Sequence, residues 1–415
     1  MTGARKKHVL LLVPAITYRA TDFVSAAQRL GLGVVIGSDG ALPLGGQPVV
    51  RVDPDDPVAS AQRLKSTVGP VDSVVAVDSQ MLPLAARLAA ELGLAHNPVA
   101  SVEAAADKSL QRQAWMAHGI SQPAFRILPA DANDEALAGA ARTLGFPCVV
   151  KPVSLSGSRG VIRADDSAGV LAAAQVIREI LAEIGRLGSE PIVIEEFVPG
   201  WELSIDGLLT EGALAVTAIF DKPDTPDGPT FEETMLVTPS RLAAPLLARA
   251  CRLAEQAATA LGLRYGPIHA ELRIDTREGG ERLTMLELAA RSIGGLCSRS
   301  LRFAEGVSLE TLILENSLGG QHSPPGMAGA AGVLMLPVER AGVLQRIDGQ
   351  TDALAVPGIT GLSITIPLGQ AVRPLPWGDR YLGFLFAAGR EIGEVETALR
   401  DACRNLQVVI CERNP

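Results

Sequence analysis

Between residues 267 and 295 the chain reads PIHAELRIDTREGGERLTMLELAARSIGG, and this stretch constrains the fold more than any other. Successive side chains of a strand point to opposite faces. His269, Glu271, Arg273 and Asp275 therefore share one face, while Ala270, Leu272 and Ile274 share the other. The TREGGER turn sends LTMLELAAR back antiparallel and brings Glu287 near Glu271. Two converging carboxylates repel unless a cation lies between them. Mg²⁺, a hard oxygen-seeking ion that also takes nucleotide phosphates, meets that requirement. Two solvated glutamates on a hairpin are the plainer alternative.

The chain around this hairpin is long enough for two or three domains, with 415 residues of which 47% are hydrophobic. Residues 1–100 alternate Val/Leu-rich runs (HVLLLVP, GVVIGS, VDSVVAVDS) with helical stretches (ATDFVSAAQRLG, LPLAARLAAELG). That alternation predicts an α/β domain whose parallel sheet is covered on both faces. Val9–Val13 is the first buried strand and not a signal peptide, because Pro14 interrupts the apolar run. GLGVVIG at 31–37 resembles a dinucleotide fingerprint, but it lies between a helix and a strand. We read it as a helix cap and strand entry.

A helix capped by Ser101 is expected next, followed by a small α+β unit within 121–208. Its strands are placed at 124–128, 148–151, 160–164 and 191–197, and its helices at 134–144 and 167–187. Long β-runs then fill 202–290, broken by a helix at 240–261. After GGQHSPPGMAGAAG the composition shifts, and 330–415 reads as a separate, mainly β lobe ending in a helix at 391–403. The expected domains are thus 1–100, 101–325 (small lobe about 121–200) and 326–415.

A net charge of −9 argues against a protein that coats nucleic acid. No apolar run reaches the roughly 18 residues of a membrane helix. Five scattered cysteines without a C-x-x-C, and five histidines without H-E-x-x-H, speak against a zinc site or disulfide framework. A reducing, cytoplasmic setting is expected.

PCVVKPVSLSGSRGV (147–161) carries a lysine at a strand end and then a Ser/Gly loop. The lysine precedes the glycines and the chain returns to β, so this is a hairpin tip and not a P-loop. Glycines there let backbone N–H groups approach an anion, and Lys151 adds a point charge. A mobile surface hairpin with an incidental lysine is the alternative. IVIEEFVPGWELSID (192–206) ends a strand in two carboxylates, a Pro-Gly turn and Glu202. It can offer backbone groups to an adenine while Glu202 faces a ribose, or be only a charged hairpin. DKPDTPDGPTFEETMLVTPS (221–240) is too rich in Pro and Asp for a core strand and reads as a lid or substrate loop. Glu232 and Glu233 in it either attract a substrate ammonium or are simply exposed.

Together, Lys108, Lys151 with its loop, EEFVPGWE, Glu271 and ELAARSIGG resemble the ATP-grasp superfamily, and within it the carboxylate–amine ligases of the L-amino-acid ligase type. The resemblance spans nearly the whole chain. It implies an ATP-grasp fold with an N-terminal parallel-sheet (pre-ATP-grasp) domain and a C-terminal mainly β lobe. It further implies that Lys108 and Lys151 contact ATP phosphates, with Lys222 a further phosphate contact. The loop of Ser154, Ser156, Gly157, Ser158 and Gly160 would close over the triphosphate. Glu195, Glu196, Phe197 and Val198 would lie at the adenine, Glu202 at the ribose, and Glu271 and Glu287 on Mg²⁺, with Mn²⁺ an allowed substitute. Arg291 would face the carboxylate that becomes an acyl phosphate, and His269 would steer substrate, accept the amine proton or merely pack. Ala289 stands where many relatives have Asn, which leaves the number of metal ions open. The implied reaction joins a small carboxylic acid, an amino acid in the first instance, to an amine, with ADP and phosphate released. A bicarbonate- or formate-activating enzyme and a non-catalytic nucleotide-binding protein are the alternatives. A homodimer through the N-terminal sheet is left open.

Overall fold

The computed structural model describes residues 5–15, 17, 19–40, 49–277, 279–301, 303, 306–320, 326–327 and 329–412. Four parallel strands, β1 (His8–Val13), β2 (Gly33–Ser38), β3 (Val49–Arg51) and β4 (Ser73–Ala76), form the first sheet in the order β3-β2-β1-β4. Helices α1 (Ala20–Arg29), α2 (Pro57–Thr67) and α3 (Leu82–Leu92) accompany it. Phe23 and Ala27 cluster with Val9, Leu11 and Val13, while Leu64, Leu84 and Leu88 cluster with Leu10 and Leu12. Coverage of both faces is why the strand is apolar throughout. The 31–37 stretch is the helix end and strand entry expected of it.

The single helix expected from Ser101 is two helices, α4 (Val99–Ala106) and α5 (Lys108–Ala117). Ser101 lies inside α4, its hydroxyl donating to the Gly262 carbonyl at 3.1 Å, and does not cap it. Asp107 makes the break. Its backbone is extended (φ −110°, ψ 115°), and its carboxylate accepts from Ser109 N and Leu110 N at 2.7 and 3.0 Å. Lys108 thereby becomes the first residue of a new helix, and its own N–H donates to the Val153 carbonyl.

The small lobe is an antiparallel sheet of β5 (Phe125–Leu128), β6 (Cys148–Pro152), β7 (Ile162–Ala164) and β8 (Ile192–Glu196), ordered β5-β8-β6-β7. Leu137 and Ala141 of α6 (Asp134–Leu144) and Val170, Ala174 and Ile177 of α7 (Ser167–Glu183) pack on its Cys148, Val150, Ile192 and Ile194.

The largest sheet takes β9 (Trp201–Thr210), β10 (Ala213–Asp221), β11 (Met235–Thr238), β12 (Gly266–Asp275), β13 (Arg282–Ala289) and β14 (Ala330–Leu336), flanked by α8 (Ala244–Ala260) and α9 (Leu309–Ser317). Beyond them run β15 (Gly342–Asp348), α10 (Gln350–Ala355), β16 (Ile359–Ile364), β17 (Ala371–Val372), β18 (Gly383–Gly389), α11 (Ile392–Asn405) and β19 (Gln407–Cys411). One expectation is corrected here. Met235–Thr238, inside the stretch read as a lid, is a fully buried core strand, so the loop proper is 222–234. The segment from 330 onward, read as a separate mainly β lobe, joins its strands to the sheet of the grasp domain. β14 pairs with β11, and β18 and β16 continue outward, so that one antiparallel sheet runs β13-β12-β9-β10-β11-β14-β18-β16. Only β15, β17 and β19 form a sheet of their own, and β19 follows α11, so a strand and not a helix comes last. The Gly/Pro-rich stretch marks a change of direction within one sheet, with residues 321–325 and 328 outside the described residues. No described helix is long and apolar enough to cross a membrane.

Candidate active site

Trp115 of α5 and Ala250, Ala254 and Ala257 of α8 pack with Leu203, Ile205, Ala270, Leu272 and Ile274, which fixes the apolar face of β9 and β12. The other face of β12 therefore carries His269, Glu271 and Arg273, as the alternation requires. Glu271 lies opposite Glu287 on β13 and opposite Ser204 on β9, while Arg273 lies opposite Glu202 and His269 opposite Asp206. The expected convergence of Glu271 and Glu287 from neighbouring strands is present in the register.

Among the described residues, Glu271 also belongs to a second acid group. One oxygen each of Glu202, Glu233 and Glu271 lies within 4.8 Å of the others. The Lys222 ammonium sits among them, 2.6 Å from Glu202, 3.2 Å from Glu271 and paired to Glu233. Burial works against its charge, but these three carboxylates outweigh burial and hold its pKa well above the ordinary lysine value. Glu202 is spanned by two cations, since its second oxygen accepts from Arg273 Nε at 2.8 Å. His269 is held between Asp206, 3.0 Å from Nδ1, and Glu271, 3.3 Å from Nε2. Burial disfavours the imidazolium, yet Asp206 and Glu271 prevail and raise its pKa to about 9.

Two more lysines approach from the other side. Lys108 Nζ donates to the Leu155 carbonyl of the glycine hairpin at 2.8 Å and lies 3.2 Å from Glu287. Lys151 Nζ lies 2.7 Å from Glu195, whose carboxylate is also gripped by Arg112. Burial pulls Lys151 down to about 8 although Glu195 opposes it. Burial would raise Glu195, but Arg112 and Lys151 together bring it to about 2.

The glycine hairpin is held by crossing segments on two sides. Gly160 N–H donates to the Pro376 carbonyl at 3.0 Å, and Arg163 N–H donates to the Pro229 carbonyl at 2.9 Å. Gly160 has φ +73° and a Cβ there would lie 3.1 Å from Pro152, so both conformation and space favour glycine. Ser154 is engaged with Glu190 at 2.7 Å, Ser156 accepts from Arg159 N–H through its carbonyl, and Gly157 and Ser158 both have positive φ.

The other expected residues make the following contacts. The Glu195 side chain is the buried counter-charge of Lys151 and Arg112. Glu196 accepts from the Ala124 N–H at 3.3 Å. Phe197 is sandwiched by the guanidinium groups of Arg163 and Arg273, 4.7 and 5.4 Å from its centroid. The Val198 carbonyl accepts from Arg273 Nη1 at 2.7 Å. Arg291 donates through Nε to Ser79 Oγ at 2.8 Å, which joins the end of β13 to the N-terminal sheet. Arg112, Arg273 and Asp206 had no assigned role from sequence. Arg112 was detectable in principle, as a cation one helical turn after Lys108 on a helix with an apolar opposite face.

The family model described as ATP-grasp domain matches residues 144–300, and that described as L-amino acid ligase C-terminal domain 2 matches residues 334–410. The chain carries an ATP-grasp domain. The first match encloses the glycine hairpin, Lys151, Lys222 and the β12–β13 acids of this ATP-grasp domain. Over 262 residues it is 27% identical to alanine–anticapsin ligase of Bacillus subtilis, which covers 59% of this chain and 53% of that protein. The chain thus spans about half the length of that curated relative. Its fold is that of the L-amino acid ligase from Bacillus licheniformis, with a TM-score of 0.79 at 24% identity over 98% of this chain and 100% of that one. The carboxyaminoimidazole ribonucleotide synthase of Aspergillus clavatus, complexed with ATP, shares the fold with a TM-score of 0.74 at 16% identity, covering 97% and 99%.

Proposed function

We propose that this chain is an ATP-dependent ligase that joins a small carboxylic acid, an amino acid in the first instance, to an amine. One observation carries the reading. Lys108 bonds the glycine hairpin and Glu287 at once, so a phosphate-binding tip and an acid pair share a single cation. That arrangement suits a triphosphate lying between hairpin and acids. The oxygen donors of Glu202, Glu233 and Glu271, with Glu287 on the neighbouring strand, fit Mg²⁺ or Mn²⁺. Such an ion, held there, would neutralise phosphate charge.

A free carboxylate is a poor acyl donor because its leaving oxygen is too basic. Transfer of the γ-phosphoryl group to a carboxylate oxygen breaks the γ-phosphate's bond to ADP and forms an acyl phosphate. The amine nitrogen then attacks the acyl carbon, the carbon–oxygen bond to phosphate breaks, and inorganic phosphate and a proton depart. Lys108 and Lys151 would offset charge on the phosphates, and Arg291, anchored by Ser79, would orient the carboxylate. Closure of the hairpin would keep water from the acyl phosphate. Protonated His269 would hold Glu271 in place.

The relatives named above support a ligase, and the carboxylase-like alternative is favoured only by shared fold. Incubation with ATP, Mg²⁺ and pairs of amino acids tests the proposal. ADP and phosphate should appear only when both an acid and an amine are present. AMP formation would overturn it, and incorporation of labelled bicarbonate would establish the alternative.

A further inference from the structure

Helix α5 carries a second buried cation one turn beyond Lys108. Arg112 is 1% exposed. Its Nε donates to Glu195 Oε1 at 2.6 Å, and its Nη2 donates to Glu195 Oε2 at 3.2 Å and to the Leu286 carbonyl at 2.6 Å. The guanidinium also lies 5.2 Å from the Trp115 ring centroid. Glu195 Oε2 in turn takes the Lys151 ammonium at 2.7 Å. Arg112 therefore links three elements that bear residues of the proposed phosphate and metal machinery. It shares α5 with Lys108, reaches Lys151 of β6 through Glu195 of β8, and holds β13 at the carbonyl just before Glu287.

Stability alone is a weak reason to keep such a pair. Removing two charges from water is costly, and apolar residues of the same volume often do as well. What an arginine adds is direction. Its planar fork grips both oxygens of one carboxylate, which leaves a single orientation for the third contact. Lys151, on a flexible four-carbon stem, would otherwise have to be ordered anew each time nucleotide binds.

We propose that Arg112 is a positioning residue for the nucleotide: through Glu195 it holds the Lys151 ammonium in place for the phosphates, and through Leu286 it ties that position to Glu287. This rests on the ATP-dependent ligase reading. Lysine at position 112 keeps the charge but cannot grip both oxygens of Glu195.

The charged groups that face Lys151 are Glu195 from β8 and Arg112 and Lys108 from α5. They make the inference testable by a signature that altered packing would not give. ADP affinity in Mg²⁺, measured by calorimetry from pH 6.5 to 9.5, should fall in the wild type as Lys151 loses its proton near pH 8. Lys151→Met should remove that step. Arg112→Met should weaken ADP binding at pH 7 by on the order of 10- to 100-fold. It should also move the step to higher pH, because a neighbouring positive charge is gone. Glu195→Gln should weaken binding too but move the step to lower pH, because the counter-charge is gone. Arg112→Lys should fall between wild type and Arg112→Met in affinity. Should Arg112→Met not fold, Glu195→Gln and Arg112→Lys decide by the same readouts. A folded Arg112 variant with wild-type ADP affinity, or shifts of the same sign in the Arg112→Met and Glu195→Gln proteins, would overturn the inference and leave the ligase reading intact. Failure of the wild type to bind ADP at all would overturn both.

Discussion

A lysine buried among three carboxylates is held by electrostatics alone, and Lys222 shows what that implies. Glu202, Glu233 and Glu271 come from a strand start, a loop and a mid-strand position, and their shared cation keeps like charges together. Substituting Lys222→Met removes that cation and leaves three carboxylates facing one another. Breaking a buried ion pair on one side typically costs about 3–5 kcal/mol. Chemical denaturation at pH 7 should show a loss of that order. The sign with pH follows from the acids. In the wild type Lys222 helps to hold the Glu271 carboxyl well below the ordinary range, so in the variant the deficit exists at neutral pH and fades as Glu271 takes up its proton at lower pH. Millimolar Mg²⁺ should recover part of the loss, because a divalent ion can take the place of the ammonium. A variant as stable as wild type across this range would show that the three acids do not share a cation. Alternation alone placed His269, Glu271 and Arg273 on one face, and that reading holds because period two survives any tertiary context. The partners of Lys222 were illegible, since nothing local in FDKPD says that residues 202, 233 and 271 will meet it.

At the scale of elements, the glycine hairpin, which we propose closes as a lid, is restrained by distant sequence. Arg373 Nη1 lies 2.9 Å from Glu183 at the end of α7, and Arg159 of the hairpin lies 3.7 Å from the same carboxylate. Ile162 also pairs with Thr230, so the loop 222–234 braces the other edge. Exposed ion pairs are worth about 0.2–1 kcal/mol each. Glu183→Gln, which weakens two of them, should thus raise the open population by about two- to thirtyfold at most. Trypsin cleavage after Arg159 measures this directly, and saturating ATP should restore protection in the variant. An unchanged cleavage rate would mean that these pairs do not restrain the lid. Sequence revealed the hairpin, because lysine before glycines and a return to β exclude a P-loop. It did not reveal the brace at Pro376 and Thr230. Likewise the break at Asp107 was missed because the Ala-rich residues of 101–119 suit one continuous helix, while the cap that divides it depends on one carboxylate turning back on two N–H groups.

At the scale of the molecule, the parallel N-terminal sheet and the antiparallel grasp sheet were legible, because continuous and alternating apolar patterns distinguish two-face from one-face burial. The unity of the large sheet was not. Strand pairing across sequence has no local signal, and a Gly/Pro-rich stretch at 319–332 looks the same whether it links two domains or turns one chain back into its own sheet. Here β14 is hydrogen-bonded between β11 and β18, and all seven of its residues are buried. Met235 and Val237 of β11 share a core with Leu334, Leu385 and Leu399. A chain cut after residue 329 would therefore lose more than a lobe. The free edge of β11 would expose unpaired N–H and C=O groups beside an uncovered apolar face, the arrangement that drives edge-to-edge aggregation. We expect residues 1–329 to be insoluble, or to bind a hydrophobic dye and unfold without a cooperative transition, whereas the full chain unfolds cooperatively. Fusing residues 330–412 in trans should not rescue nucleotide binding unless β14 can re-enter between its neighbours. A soluble 1–329 fragment with a sharp thermal transition and wild-type ADP affinity would show that the sheet divides at 329 after all.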